Sequence, residues 1–349
     1  MMTVREAKEI AADWVVREGS RMPGYSGAFF AGSINGRSAG ETQPPGSDVD
    51  FFIVLDQEDT SSIFSHKFFW KGVVLESACF PLPEFRNPEI AVADYRVACH
   101  LAVPSIIADP SGILEKAHRF VVREYPRRIW IRKRCDSAIG TWIEGFLDHS
   151  YDMPQPLNLW LRWMFFGVTG GQSIALADLR DPTVKKSLVV SDEVLARYGE
   201  SRVQELLLDV SGCRDMSAQD VRSYFDEYLS ILNIAIECHK SPFPGENFVC
   251  PAGREVIIAG VREMIESGHH REVMAYLNQL ALYALIVIGQ DAPEAVKREG
   301  LDAARRFLRY FGISSEEEHL AHIERVRGAL GELKATVERI IRANPRAID

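Results

Sequence analysis

The period of the hydrophobic positions changes near Tyr125. Before it, short apolar runs of strand type alternate with turn-rich segments: residues 27–31, 51–55 and 73–80, the last with apolar and polar positions in alternation. Residues 66–70 precede that last run with only Lys71-Gly72 between them, which predicts a tight hairpin. A further short strand falls at 104–108, followed by a turn at Asp109-Pro110-Ser111-Gly112 and a helix over 113–123. Ahead of the strands, Thr3 and Glu6 fit a capping box, and Ala7, Ile10, Ala11, Trp14 and Val15 recur at helical spacing. Between residues 34 and 46, Gly36, Gly40, Pro44, Pro45 and Gly46 exclude helix and central strand.

After Tyr125 nearly every segment carries the helical period. Pro126 suits the first turn of a helix running towards His149. Further helices are expected over 156–175, 192–198, 201–210, 217–237, 252–267, 269–288, 292–310 and 315–343. Trp160, Trp163, Phe165 and Phe166 lie on one of them and read as core. The pattern predicts an α+β protein: a mixed sheet with flanking helices over 1–125, then an all-α helical bundle over 126–349.

A length of 349 residues agrees with two domains. No apolar run reaches the roughly 18 residues a membrane helix needs, and the N-terminus lacks the apolar stretch of a signal peptide. A cytoplasmic protein with no membrane partner is therefore expected. Cys79, Cys99, Cys135, Cys213, Cys238 and Cys250 are scattered with no C-x-x-C pair, which argues for free thiols over a zinc knuckle or disulfide framework. The net charge of -9 disfavours a polynucleotide partner and favours a small molecule. One basic cluster runs against this balance: Arg127, Arg128, Arg132, Lys133 and Arg134.

Three carboxylates then change the picture. Asp48 and Asp50 flank Val49 at the start of the 51–55 strand, and residues two apart on a strand share a face. Glu76 lies in the later alternating run. If the two strands pair, three acids meet beside strongly apolar sequence, which is costly unless a cation compensates them. Magnesium prefers such oxygen ligands, and two ions about 3.5–4 Å apart can neutralise a triphosphate and align an attack on it. Gly32-Ser33, at the end of the 27–31 strand, offers close backbone approach to phosphate and a hydroxyl donor, and Ser47 offers another. Arg128, four residues from Arg132 on one helix face, is a candidate clamp on the triphosphate.

The order strand, Gly32-Ser33, loop, Ser47-Asp48-Val49-Asp50, apolar strand, Glu76 resembles the nucleotidyltransferase superfamily with the polymerase-beta-like fold. Within it the chain looks most like the bacterial small-molecule enzymes of the kanamycin and lincosamide type. The motif match covers residues 27–80, and the helical half matches only in architecture. The resemblance implies a magnesium-dependent transferase using two ions on Asp48, Asp50 and Glu76. It would move a nucleoside monophosphate from a triphosphate, ATP being the first choice, to a hydroxyl of a small acceptor such as an aminoglycoside antibiotic, and release pyrophosphate. It also implies a phosphate contact from Lys185 or Lys186, and it offers Glu76, Glu144 or Asp148 as general base. The 34–46 loop is longer than usual for the superfamily, so it is a candidate to cover the nucleotide or reach the acceptor. A protein or RNA acceptor, or an idle nucleotide-binding or antitoxin-like module, are the alternatives, and a homodimer is compatible with the sequence.

Overall fold

The computed structural model describes residues 2–58, 60 and 65–349. The chain forms two compact units. The first comprises Met1–Arg134, Pro242–Gly260 and Arg346–Asp349; the second comprises Cys135–Ser241 and Val261–Pro345. A single cut at residue 125 does not describe this division. The first unit runs on to Arg134, which is fully buried and donates to the carbonyls of Val92 at 3.0 Å and Tyr125 at 2.7 Å. It also takes back two later segments, because a helical period reports a segment's local shape and not the core it packs on.

The sheet has five strands in the order β3-β4-β2-β1-β5. These are β1 (Tyr25–Ala31), β2 (Val49–Leu55), β3 (His66–Trp70), β4 (Val73–Pro81) and β5 (Ile106–Ala108). It is mixed: β2 and β4 run parallel, and the other neighbours pair antiparallel. The β3–β4 hairpin turns at Lys71 and Gly72, both with positive φ, as a two-residue primed turn requires.

Both faces of the sheet are covered. On one, Val49, Phe51, Ile53 and Leu55 of β2 pack with Val4, Ala7, Ala11 and Val15 of the N-terminal helix Val4–Arg17. Thr3 caps that helix through the expected capping box with Glu6. On the other, Phe52 and Val54 meet Phe80, Phe85, Val92, Leu101, Leu114 and Val121. After β4 the chain forms two short helices, Pro83–Arg86 and Pro88–Ala93, separate because Pro88 lacks the N–H that would continue the first. β2 thus divides its side chains by parity, and the odd positions are wholly apolar. The even face begins with Asp48 and Asp50 before it reaches Phe52 and Val54.

The 34–46 loop is stitched to the start of the first helix: Val4 N–H donates to Glu41 O at 2.8 Å, and Arg5 N–H to Ala39 O at 3.0 Å. Gly46 then packs backbone to backbone on Gly260, where a Cβ would meet the Gly260 nitrogen at 2.7 Å. The loop is part of the scaffold under Asp48.

The second unit is helical. At its centre Phe165–Ala177 is buried at every position, the mark of a helix surrounded on all sides. Trp160, Trp163, Phe165 and Phe166 are core, as their spacing predicts. Capping boxes at Ser217 and Ser315 open the helices Ala218–Cys238 and Glu316–Ala343. The long helix expected from Pro126 instead runs over Arg128–Ile139, widens into a π-turn at Gly140–Glu144 and stops after Gly145–Leu147, near two glycines. All six cysteines are free thiols. No described helix is long and apolar enough to cross a membrane.

Candidate metal and triphosphate site

Sheet register assembles the site. Across the sheet Lys67 on β3 pairs with Glu76 on β4, Glu76 with Asp50 on β2, and Asp50 with Ala31 on β1. Residues in such a row project from the same face. Asp48, two before Asp50, shares that face. Carboxylate oxygens of Asp48, Asp50 and Glu76 lie within 4.8 Å of one another.

Gly32 ends the row. Its φ is 64°, and a Cβ there would run into the Asp50 carboxylate. Glycine is thus required twice, for the left-handed backbone and for the approach of the acid. The chain continues into a tight turn over Gly32–Gly36, pinned by Asn35 Nδ2 donating to Phe30 O at 2.8 Å. That turn brings the Ser33 hydroxyl to 3.4 Å from the Ser47 hydroxyl. Gln43 Nε2 donates to the carbonyls of Ser47 at 3.1 Å and Asp48 at 3.3 Å, so the loop holds the residues that aim the first acid.

Three acids so close together repel one another, and the Lys67 ammonium answers two of them. It donates to Asp48 Oδ2, and to Glu76 Oε2 at 2.7 Å. The Lys67 side chain is 4 % exposed. The other Glu76 oxygen accepts from Asn247 Nδ2 at 2.6 Å. Burial pushes the Glu76 carboxyl up; the Lys67 ammonium opposes this, and the Asp48 charge adds to it. The segment that supplies Asn247 closes over Lys67 as well. The Phe248 ring lies 5.5 Å from Nζ, Cys250 Sγ donates to the Lys67 carbonyl at 3.5 Å, and Glu246 pairs with His66 at 3.0 Å.

The donor set is all oxygen, and hard on every side. That suits magnesium or manganese and not a thiolate- or imidazole-seeking metal. The Asp50 carboxylate packs where a Cβ of Gly32 would stand, and the Ser33 and Ser47 hydroxyls lie next to each other on the residues that follow Gly32 and precede Asp48.

No family model matches the chain, and no curated protein matches it.

Of the residues singled out in the sequence, Asp48, Asp50, Glu76 and Gly32 come together, with Ser33 and Ser47 beside each other at their margin. Arg128 is occupied elsewhere in the first unit: its guanidinium pairs with Asp349 at 2.7 Å, and its N–H donates to Ile348 O at 2.8 Å. Its neighbours are likewise tied to protein. Arg127 pairs with Glu124, Lys133 lies over the Trp130 ring and Arg134 over that of Tyr125. Lys185 lies in the turn before the helix Ser187–Arg197 of the second unit, next to Lys186, which pairs with Glu263 at 2.8 Å. Glu144 and Asp148, also in the second unit, pair with Lys334 at 2.6 Å and Arg327 at 2.7 Å.

Sequence reasoning missed Lys67 and Asn247. Lys67 carried a signal: it alternates with Phe68 in a run that pairs with the strand of Glu76, so register alone predicts the contact. Asn247 carried none, since its partner is 171 positions away.

Proposed function

We propose that the chain is a magnesium-dependent nucleotidyltransferase acting on a nucleoside triphosphate, most readily ATP, and on a hydroxyl of a small acceptor. The observation that carries this reading is the convergence of Asp48, Asp50 and Glu76, beside a glycine whose left-handed backbone and close contact with Asp50 any side chain would disturb. Asp48 and Asp50, with Glu76, would hold magnesium, which when bound supplies charge neutralisation on the triphosphate and a fixed geometry at the α-phosphorus. The Gly32 and Ser33 turn seats the terminal phosphates, with the Ser33 and Ser47 hydroxyls as donors. The acceptor oxygen forms a bond to the α-phosphorus as the bond from that phosphorus to the α,β-bridging oxygen breaks, and pyrophosphate leaves. The hydroxyl proton passes to Glu76, whose carboxylate keeps lone pairs beyond those engaged by Lys67 and Asn247. The net charge of -9 supports a cationic small acceptor of the aminoglycoside kind over RNA.

The test is pyrophosphate release from ATP and GTP in the presence of magnesium, across aminoglycosides, lincosamides and total RNA. Release with a small hydroxylated acceptor, lost in Asp48→Ala/Asp50→Ala, is the expected result. One observation favours a second reading, a nucleotide-binding module without catalysis: Lys67 already compensates two of the three acids. Tight triphosphate binding with no pyrophosphate release from any acceptor would select it.

A further inference from the structure

The site contains a cation of its own. Lys67 is no surface lysine that happens to touch an acid. Its backbone is locked in β3, in register with Glu76, so the sheet itself sets where the side chain starts. Its ammonium bridges acids from two different strands, Asp48 and Glu76. Its side chain is almost wholly covered, with the Phe248 ring on one side and the Asn247 amide fixing the far oxygen of Glu76.

We propose that Lys67 stands permanently where a second metal ion would otherwise be needed, so that the site takes one divalent ion per bound nucleotide instead of two. The inference rests on the metal-site reading above and departs from the two-ion expectation of the sequence. The Lys67 ammonium already sits between Asp48 and Glu76, the edge at which a second ion would bridge those two acids. A second ion at the Asp48–Glu76 edge would meet a like charge at contact distance. Moving Lys67 aside to admit it would take a largely covered ammonium away from the two acids that hold it. The single ion therefore belongs to the Asp48–Asp50 pair, whose carboxylates share one face two positions apart. Lys67 meanwhile holds the charge and orientation of Asp48 and Glu76, and it cannot dissociate.

The experiment uses the whole chain with Mn2+ and α,β-methylene-ATP, which cannot release pyrophosphate. Equilibrium dialysis counts ions per bound nucleotide, and electron paramagnetic resonance reports whether bound ions are spin-coupled. The parent is expected to hold one Mn2+ per nucleotide with no coupling. Lys67→Met keeps the apolar stem without the charge and is expected to hold two, coupled. Lys67→Arg keeps the charge and should stay at one. Two coupled ions in the parent overturn the proposal, and so does a single ion in a Lys67→Met protein whose circular dichroism matches the parent. Should Lys67→Met fail to fold, the counts for the parent and for Lys67→Arg still decide. Failure of the metal-site reading itself looks different: the parent then binds no protein-held Mn2+, and Asp48→Asn changes nothing.

Discussion

Asp48, Glu76 and Lys67 in the first unit, and Asp178, Arg197 and Tyr198 in the second, are two ways of bringing charge below a protein surface. Asp178 is 1 % exposed and both its oxygens are engaged: Arg197 at 2.5 Å on one and the Tyr198 hydroxyl at 2.7 Å on the other. Two other buried polar pairs of that unit are closed in the same way. Trp160 Nε1 donates to Asn278 at 2.7 Å, and Ser191 to Gln204 at 2.8 Å. The row on the sheet is different. Its three carboxylates gather on one face, and a single ammonium bridges two of them. A buried charge that is matched asks nothing more of its surroundings; several acids gathered on one face offer ligands to a further cation. On the proposed reading, the contrast is between charge paired for stability and charge gathered for ligand chemistry.

The comparison can be broken first at its strongest point. Under the proposed function, Asp50→Asn should lower nucleotidyl transfer by roughly 10³-fold or more, since several kcal/mol of transition-state charge stabilisation would depend on the metal it is proposed to hold. The melting temperature should hold or rise, because one of three crowded charges is gone. A large fall in melting temperature would mean that the acids are structural.

Next in size is a pH effect confined to the second unit. Trp163 Nε1 donates to His319 Nε2 at 2.7 Å, so that nitrogen must be free of a proton. Burial lowers His319 to about 4 and His322 to about 3, with nearby arginines acting in the same direction. Both values lie below the ordinary 6.5 of the unfolded chain, so the unfolded state binds more protons as the medium is acidified. Stability is therefore full above pH 6.5 and falls progressively as pH drops towards 3, by about 1.4 kcal/mol per unit for each histidine at the steepest. Urea unfolding between pH 7 and 4 should show this slope, and a His319→Gln/His322→Gln variant should flatten it.

Asp178→Asn should cost about 2 kcal/mol of stability, the worth of hydrogen bonds to a charged group, and leave turnover untouched. The smallest expected effect is that of Asn247→Ala. It frees one oxygen of Glu76 and should slow turnover by about tenfold, near the low end of what a hydrogen bond to a charged group contributes, with little change in melting temperature. If Asp178→Asn abolished turnover, or Asn247→Ala unfolded the protein, the division between the two kinds of interior would fall.

Much of the sheet was legible because its information is local. Period-2 alternation alone places Val49 and Phe51 on one face and Asp48 and Asp50 on the other, and Lys71-Gly72 fixes the hairpin that brings Lys67 opposite Glu76. Gly32 was legible as a turn. Its collision with Asp50 was not, because that depends on the pairing of β1 with β2. The partners of the Arg127–Arg134 run were hidden for a related reason. A row of cations in sequence looks available for phosphate, yet Glu124, Asp349 and two backbone carbonyls from elsewhere in the unit bind them. The unit boundary was hidden because 242–260 and 346–349 carry the helical and polar character of their sequence neighbours.

The return of those two segments to the first unit bears on how the protein is born. On a ribosome, the acids of β2 and β4 emerge early, with Lys67 between them. The residue that fixes Glu76 from the other side emerges only after a long stretch of the helical unit has been made. A nascent chain stopped at Arg134 would carry every carboxylate of the cluster yet lack Asn247, the Phe248 cover over Lys67 and the Gly260 backbone under Gly46. The carboxylate row is synthesised long before the residues that complete it, so an aborted translation product has the motif and not the finished centre.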